Sequence, residues 1–248
     1  GKRSGAFSAG TYDTQPFVLM NYQDDVASMF TLAHELGHSM HSELTNDAQP
    51  YVYSDYDIFV AEVASTVNET LLTRHLLDTV EDEAFRARVL EEYLERFRST
   101  LFRQTMFAHF EQETHSLVED GESLTPDRLD DIYRDLKADY YEPAVIDDHI
   151  AREWMRIPHF YWAFYVYQYA TGISSAVAIA REIAADFDAE TGTPGDATED
   201  YLAFLSQGGR GSPPELLEIV GVDVESGEAV EAAIAEYDER LDDVAETL

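Results

Sequence analysis

His34-Glu35-Leu36-Gly37-His38 places two histidines and a glutamate at a spacing that could do hydrolytic chemistry. Residues four apart on a helix lie one above the other, so both imidazoles could reach the same metal ion. The glutamate between them would stand beside that ion without binding it, able to take a proton from a zinc-bound water. The alternative is a buried helix whose two histidines satisfy backbone partners. The flanks read as helix: Asp24 and Asp25 offer an N-cap, and Val26, Met29, Phe30, Ala33, Leu36, Gly37 and Met40 recur at helical spacing. Gly37 has no Cβ and would let another element come close between the two histidines.

Two protein ligands are too few for a hydrolytic zinc site, which usually takes three side chains and keeps a fourth position for water. A third histidine further along the same segment would call for Gly at 41 and His at 44, but the chain has His41 and Leu44. The other route draws a glutamate from a second helix, and Glu62, within the stretch 59–69, offers one. Ile58, Val63, Val67 and Leu71 outline an apolar face there, which puts Glu62 on a largely buried helix. Glu69, two turns on, could accept a hydrogen bond from a ligand imidazole. His41 is the rival third ligand, although three ligands along one straight helix make poor tetrahedral geometry. Glu62 and Glu69 could also be ordinary carboxylates of an acidic protein.

The run from His34 through Ser39-Met40-His41, followed by Phe59-Val60-Ala61-Glu62-Val63-Ala64-Ser65-Thr66, resembles the oligoendopeptidase F and thimet oligopeptidase family of zinc metallopeptidases. Lys2-Arg3-Ser4-Gly5-Ala6, Pro16 to Tyr22, His159-Phe160-Tyr161 and Phe164 to Gly172 fit the same family, and the resemblance extends to about Val222. It implies one Zn2+ per chain bound by His34, His38 and Glu62, with Glu35 as general base and acid. It also implies a mainly α, zincin-like helical catalytic domain with a small β region near the N-terminus. Family members are typically much longer, with a helical N-terminal half closing over the site. The expectation is therefore a single catalytic domain over 1–248, the C-terminal half of a longer oligopeptidase.

A peptidase also needs donors aimed at the carbonyl oxygen as it becomes an oxyanion, and neutral Tyr and His serve. Tyr161, Tyr165 and Tyr169 repeat every four residues and are expected to share a helix face, with Tyr167 pointing elsewhere. The related peptidases carry a histidine and tyrosines here that contact the substrate, which favours His159, Tyr165 and Tyr169 as catalytic. The alternative is an aromatic stripe that is simply core. Gly208-Gly209-Arg210-Gly211 reads either as a substrate-contacting loop, as the family suggests, or as a plain surface turn. His75, His109, His115 and His149 lack partners at ligand spacing.

Charge is the second strong feature. Asp and Glu number 50 against 16 Lys and Arg, a formal net charge of −34, and only Lys2 and Lys137 are lysines. Such a surface repels nucleic acid and anionic membranes. The acids are spread through periodic apolar segments, so a disordered acidic tail is excluded. Salt adaptation explains the composition: concentrated salt screens the self-repulsion, which points to a halophilic, high-salt cytoplasm. Without cysteine there is no disulfide, thiolate metal site or cysteine nucleophile. Ile157 to Ala180 carries no Asp, Glu, Lys or Arg, but its tyrosines, glutamine and hydroxyls suit a buried helix lining a polar cleft better than a membrane span.

The stretch 6–22 reads as β, interrupted by Gly10 and Pro16. Helices are expected near 24–45, 56–78, 81–118, 126–140, 143–156, 160–188, 197–206, 213–220 and 227–246. Two function classes follow. One is a zinc-dependent endopeptidase hydrolysing short peptides in the cytoplasm, with Glu35 activating the water. The other is a non-catalytic metal- or peptide-binding remnant of a longer protein. Glu35 favours the first, since a pure binding module needs no acid/base beside the metal. A secreted zinc protease acting on folded proteins is a third, less favoured idea.

Overall fold

The computed structural model of the chain describes residues 5–247, so Lys2, Arg3 and Ser4 of the family-like N-terminal stretch lie outside the described residues. An antiparallel hairpin, β1 (Ala6–Ala9) and β2 (Phe17–Met20), precedes the helices. These are α1 (Val26–Ala48), α2 (Ile58–Thr79), α3 (Glu83–Arg96), α4 (Arg103–Glu119), α5 (Pro126–Tyr140) and α6 (Asp148–Ala151), then α7 (Tyr167–Asp186), α8 (Asp196–Leu205), α9 (Pro213–Leu217) and α10 (Glu228–Thr247). The fold is mainly α with a small β region, as the sequence suggests. None of the described helices is long and apolar enough to cross a membrane. Contacts divide the chain into two compact units where composition shows no boundary: residues up to Glu95 together with Thr171 onward, and the segment Arg96–Ala170.

In the first unit, the hairpin pairs Phe7 with Leu19 and Ala9 with Phe17. Period-two alternation turns Phe7, Phe17 and Leu19 outward, and all three are exposed. Ser8, on the opposite face, meets Ser39 of α1, Oγ to Oγ at 2.9 Å. Asp25 starts α1, accepting the Ser28 N–H at 2.8 Å, and Asp57 starts α2, accepting the Phe59 N–H at 2.9 Å. The expected apolar stripe of α2 is corrected at its first residue. Ile58, in the opening turn, is exposed, while Val60, Val63, Ala64, Ser65 and Val67 are fully buried, so α2 is enclosed on most sides.

Small residues bring α1 and α2 together. A Cβ added to Gly37 would stand 2.6 Å from Ser65 Cα and 2.9 Å from the Ala64 carbonyl oxygen. Val60, Val63 and Val67 then pack with Ala176, Ile179 and Ile183 of α7, Phe204 and Leu205 of α8, and Leu216 and Leu217 of α9. Ser212 opens α9 through a capping box with Glu215. The acidic α10 is anchored by one carboxylate: Glu236 is fully buried and accepts from Arg74 at 2.9 Å, Arg181 at 2.8 Å and Arg240 at 2.9 Å.

The helix expected over 81–118 forms as α3, which belongs to the first unit, and in the second unit as a π-helical stretch, Phe97–Phe102, followed by α4. Met106, Phe107 and Phe110 of α4 pack on Tyr133 and Leu136 of α5 and on Ile157 and Val166. The long helix expected over 143–156 does not form. In its place are the four-residue α6, capped by Asp147, and a 3-10 turn over Glu153–Arg156. Tertiary pairing explains the departure. Glu153 accepts from Arg103 at 2.8 Å, Lys137 at 2.8 Å, the Tyr133 hydroxyl at 2.9 Å, and Arg156, while Asp130 accepts from Arg152 and the Trp154 indole at 2.9 Å each.

Candidate metal centre

Helix α1 delivers His34 and His38 to one face, and their Nε2 atoms lie 3.1 Å apart. Helix α2 supplies Glu62, with carboxylate oxygens 3.6 Å from His34 Nε2 and 4.0 Å from His38 Nε2. Among the described residues this is the one group of three His, Cys, Asp or Glu side chains that could hold an ion, with donor atoms all within 4.8 Å of one another. Tetrahedral zinc with bonds of about 2.0–2.2 Å separates its ligand atoms by roughly 3.4 Å. The donor set and spacing therefore fit the ion. The pair of imidazole nitrogens argues the same way, since two lone pairs face to face repel unless a proton or a cation lies between them.

Surrounding groups set the state of each donor. The other ring nitrogen of His34, Nδ1, is 2.9 Å from Glu69 Oε1, and Glu69 is almost wholly buried. A carboxylate there fixes the Nδ1–H tautomer and leaves Nε2 as a bare acceptor. Burial and the neighbouring His34 push His38 down to about 4, against a hydrogen bond with the Ala61 backbone that acts the other way. Burial raises the Glu62 carboxyl above its usual range; His34 opposes that rise and the Glu35 carboxylate adds to it. Glu35 is itself buried.

His41, the rival ligand, is turned away. Its ring stacks on Tyr56 with centroids 3.7 Å apart and lies 6.0 Å from Phe204. Burial, then the charge of His38, pushes it down to about 3. Of the remaining histidines, His109 meets Glu113 at 3.2 Å and His115 meets the Phe164 ring at 4.7 Å.

His159, Tyr165 and Tyr169 come together in the second unit, but not by the expected route. Helix α7 begins at Tyr167, not near 160, so Tyr161, Tyr165 and Tyr169 do not share a helix face. Pro158 opens a 3-10 turn ending at Tyr161, whose side chain is exposed, and a tight turn follows before α7. Its cause is Phe164, at φ 58, in a stretch with no glycine or proline to signal it. The His159 ring nevertheless lies 5.3 Å from Tyr165 and 5.9 Å from Tyr169, and the two tyrosine hydroxyls are 3.4 Å apart. Trp162, which the sequence did not single out, joins at 5.5 Å from His159.

The glycine loop is exposed at Gly209 and Arg210 but tucked in at its first residue. Gly208 is buried at φ +55, and a Cβ there would stand 2.0 Å from the Tyr53 carbonyl oxygen. Only glycine fits that approach.

Residues 1–236 match the model of peptidase family M3. The chain belongs to that family. Among M3-like relatives, oligopeptidase PepF of Bacillus subtilis is 49% identical across the whole chain, which spans 36% of that protein. Group B oligopeptidase PepB of Streptococcus agalactiae is 46% identical over 97% of the chain and 39% of its own length. The crystal structure of oligoendopeptidase-F from Enterococcus faecium superposes with a TM-score of 0.77 at 43% identity, covering 90% of this chain and 39% of that one. The chain thus spans well under half the length of these M3 relatives.

Proposed function

We propose that this M3 chain is a zinc-dependent endopeptidase that hydrolyses short peptides, working as one catalytic unit in a salt-rich cytoplasm. The observation that carries the reading is the convergence of His34 Nε2, His38 Nε2 and a Glu62 oxygen within 4.8 Å, with Glu35 on the same helix between the histidines. His34, His38 and Glu62 would hold the ion. When bound, zinc supplies a Lewis acid that acidifies water and polarises the scissile carbonyl. Glu35 takes the proton of the attacking water at its carboxylate and later hands it to the leaving amine nitrogen. Glu69 keeps the His34 ring in one tautomer throughout. His159, Tyr165 and Tyr169 donate to the charge that develops on the carbonyl oxygen.

Elemental analysis of the purified chain, with a quenched-fluorescent peptide assay run with and without chelator, tests the proposal. One zinc per chain and chelator-sensitive hydrolysis are expected. Glu35→Gln should keep the zinc and lose about 10²–10⁴-fold in turnover, because an amide accepts no proton. Zinc bound with no hydrolysis of any peptide would favour the non-catalytic binding reading. Hydrolysis unaffected by Glu35→Gln would overturn the assigned mechanism.

A further inference from the structure

Phe164 is an outlier that calls for an explanation. Among the described residues, Asp24 and Phe164 are the non-glycine residues with positive φ. Aspartate tolerates that conformation, whereas a bulky aromatic rarely adopts it. The Tyr165 N–H donates to the Trp162 carbonyl at 3.1 Å, closing a turn in which Phe164 is the third residue. Where that position has positive φ, turns ordinarily carry glycine or asparagine.

One face of α4 grips the strained residue at two points. The Phe164 N–H donates to Glu111 Oε1 at 2.7 Å, and Glu111 is 4% exposed. One helical turn on, the His115 ring lies 4.7 Å from the Phe164 ring. A buried carboxylate is costly unless it is hydrogen-bonded, and a charge-assisted bond to a backbone N–H is among the stronger kinds. What this bond fixes is the direction of the next residue. Tyr165 lies against His159, 5.4 Å from Trp162, with its hydroxyl 3.4 Å from that of Tyr169.

We infer that Glu111 is a positioning residue: by holding Phe164 in its left-handed turn it sets Tyr165 and His159 in the arrangement that stabilises the developing oxyanion. The inference rests on the proposed role of His159, Tyr165 and Tyr169. Strain of this kind persists only where surrounding structure over-determines it, and it clusters at functional sites. Glu111 and His115 are that surrounding structure.

The test combines steady-state kinetics with hydrogen–deuterium exchange across the zinc-loaded chain, comparing Glu111→Ala, Glu111→Gln, Phe164→Gly, the Glu111→Ala/Phe164→Gly double variant and Tyr165→Phe. Glu111→Ala should speed exchange in residues 162–166 while α4 and α5 stay protected. It should also lower kcat by about 10–100-fold at nearly unchanged KM, the size of a small misplacement of a catalytic group. Glu111→Gln keeps an acceptor oxygen and should stay within about threefold of the parent. Adding Phe164→Gly to Glu111→Ala should restore kcat to within about threefold, because glycine adopts the left-handed turn without help. Unchanged exchange or kcat in Glu111→Ala would overturn the inference, as would failure of the glycine to rescue or exchange spreading through α4 and α5. Tyr165→Phe separates the two failures. Full kcat in that variant means the role of the tyrosines is wrong, whereas a lowered kcat beside an unaffected Glu111→Ala means that the inference alone falls.

Discussion

His34 presents different chemistry on its two nitrogens, and the proposed centre uses the difference. Nε2 faces His38 and Glu62, while Nδ1 is held by Glu69 at 2.9 Å. Removing that carboxylate frees the ring to rotate or change tautomer and makes Nε2 less basic. Glu69→Ala is therefore expected to weaken zinc affinity by about 10–100-fold, measured by competition against a chromophoric chelator. Glu62→Ala removes one of the three proposed ligands and should weaken binding more. Equal affinity in Glu69→Ala and the parent chain would mean that the contact orients nothing.

At the scale of elements, the distance between α1 and α2 decides whether two histidines and a glutamate become one site. Gly37 sets it. Alanine there gains about 1 kcal/mol of helix propensity, but its Cβ would meet Ser65 Cα at 2.6 Å, and backbone cannot move aside as a flexible side chain can. Overpacking of this kind costs about 1–3 kcal/mol, so the clash outweighs the gain. Gly37→Ala should lower Tm modestly and weaken zinc binding, because separating the helices draws Glu62 away from both imidazoles. A melting curve and a zinc titration on the same sample check both outcomes.

This is also where the sequence was most and least readable. The histidine pair was legible from helical spacing, and Gly37 and the Asp25 cap from residue type, whereas Glu62 and Glu69 were candidates that spacing left open, the family resemblance favouring Glu62. The break before α7 was not legible, since it turns on Phe164 at φ 58, whose N–H meets Glu111, far away in the chain. The shortness of α6 was hidden for the same reason: three donors from distant positions, Arg103, Tyr133 and Lys137, converge on Glu153 beside its neighbour Arg156. Burial raises that carboxyl, but hydrogen bonds from Lys137 and Tyr133 and the charges of Lys137 and Arg103 overcome it and hold it at about 2, below the ordinary 4.5. A depressed carboxyl stabilises the fold fully above its unfolded pKa, and that contribution is lost as pH falls toward the folded value. The second unit should therefore lose stability between about pH 4.5 and pH 2. Glu153→Gln should be destabilised at neutral pH and show a shallower acid dependence over that window, read by denaturant unfolding at each pH. A parallel shift at every pH would remove the assignment to Glu153.

Over the whole molecule, charge governs how the chain behaves in solution. With 50 acidic and 16 basic residues, most carboxylates have no basic partner available. The basic residues are, moreover, concentrated where they count: three arginines meet the buried Glu236, and Arg103, Lys137 and Arg156 meet Glu153. Salt acts differently on the two populations. Raising ionic strength from 0.1 M to 1 M shortens the Debye length from about 10 Å to about 3 Å, which removes most repulsion between exposed carboxylates. Buried pairs are screened much less, so the clusters that anchor α10 and the turn at Glu153 keep their strength. The expected net effect of salt is then stabilising. Tm should rise by about 10 °C or more between dilute buffer and molar KCl, equivalent to a few kcal/mol for a chain of this size. Exposed carboxylates replaced by lysine, away from both clusters, should flatten the salt response in proportion to the charge removed. A Tm that stays level or falls across that range in the parent chain would mean that the acidic surface is not an adaptation to salt.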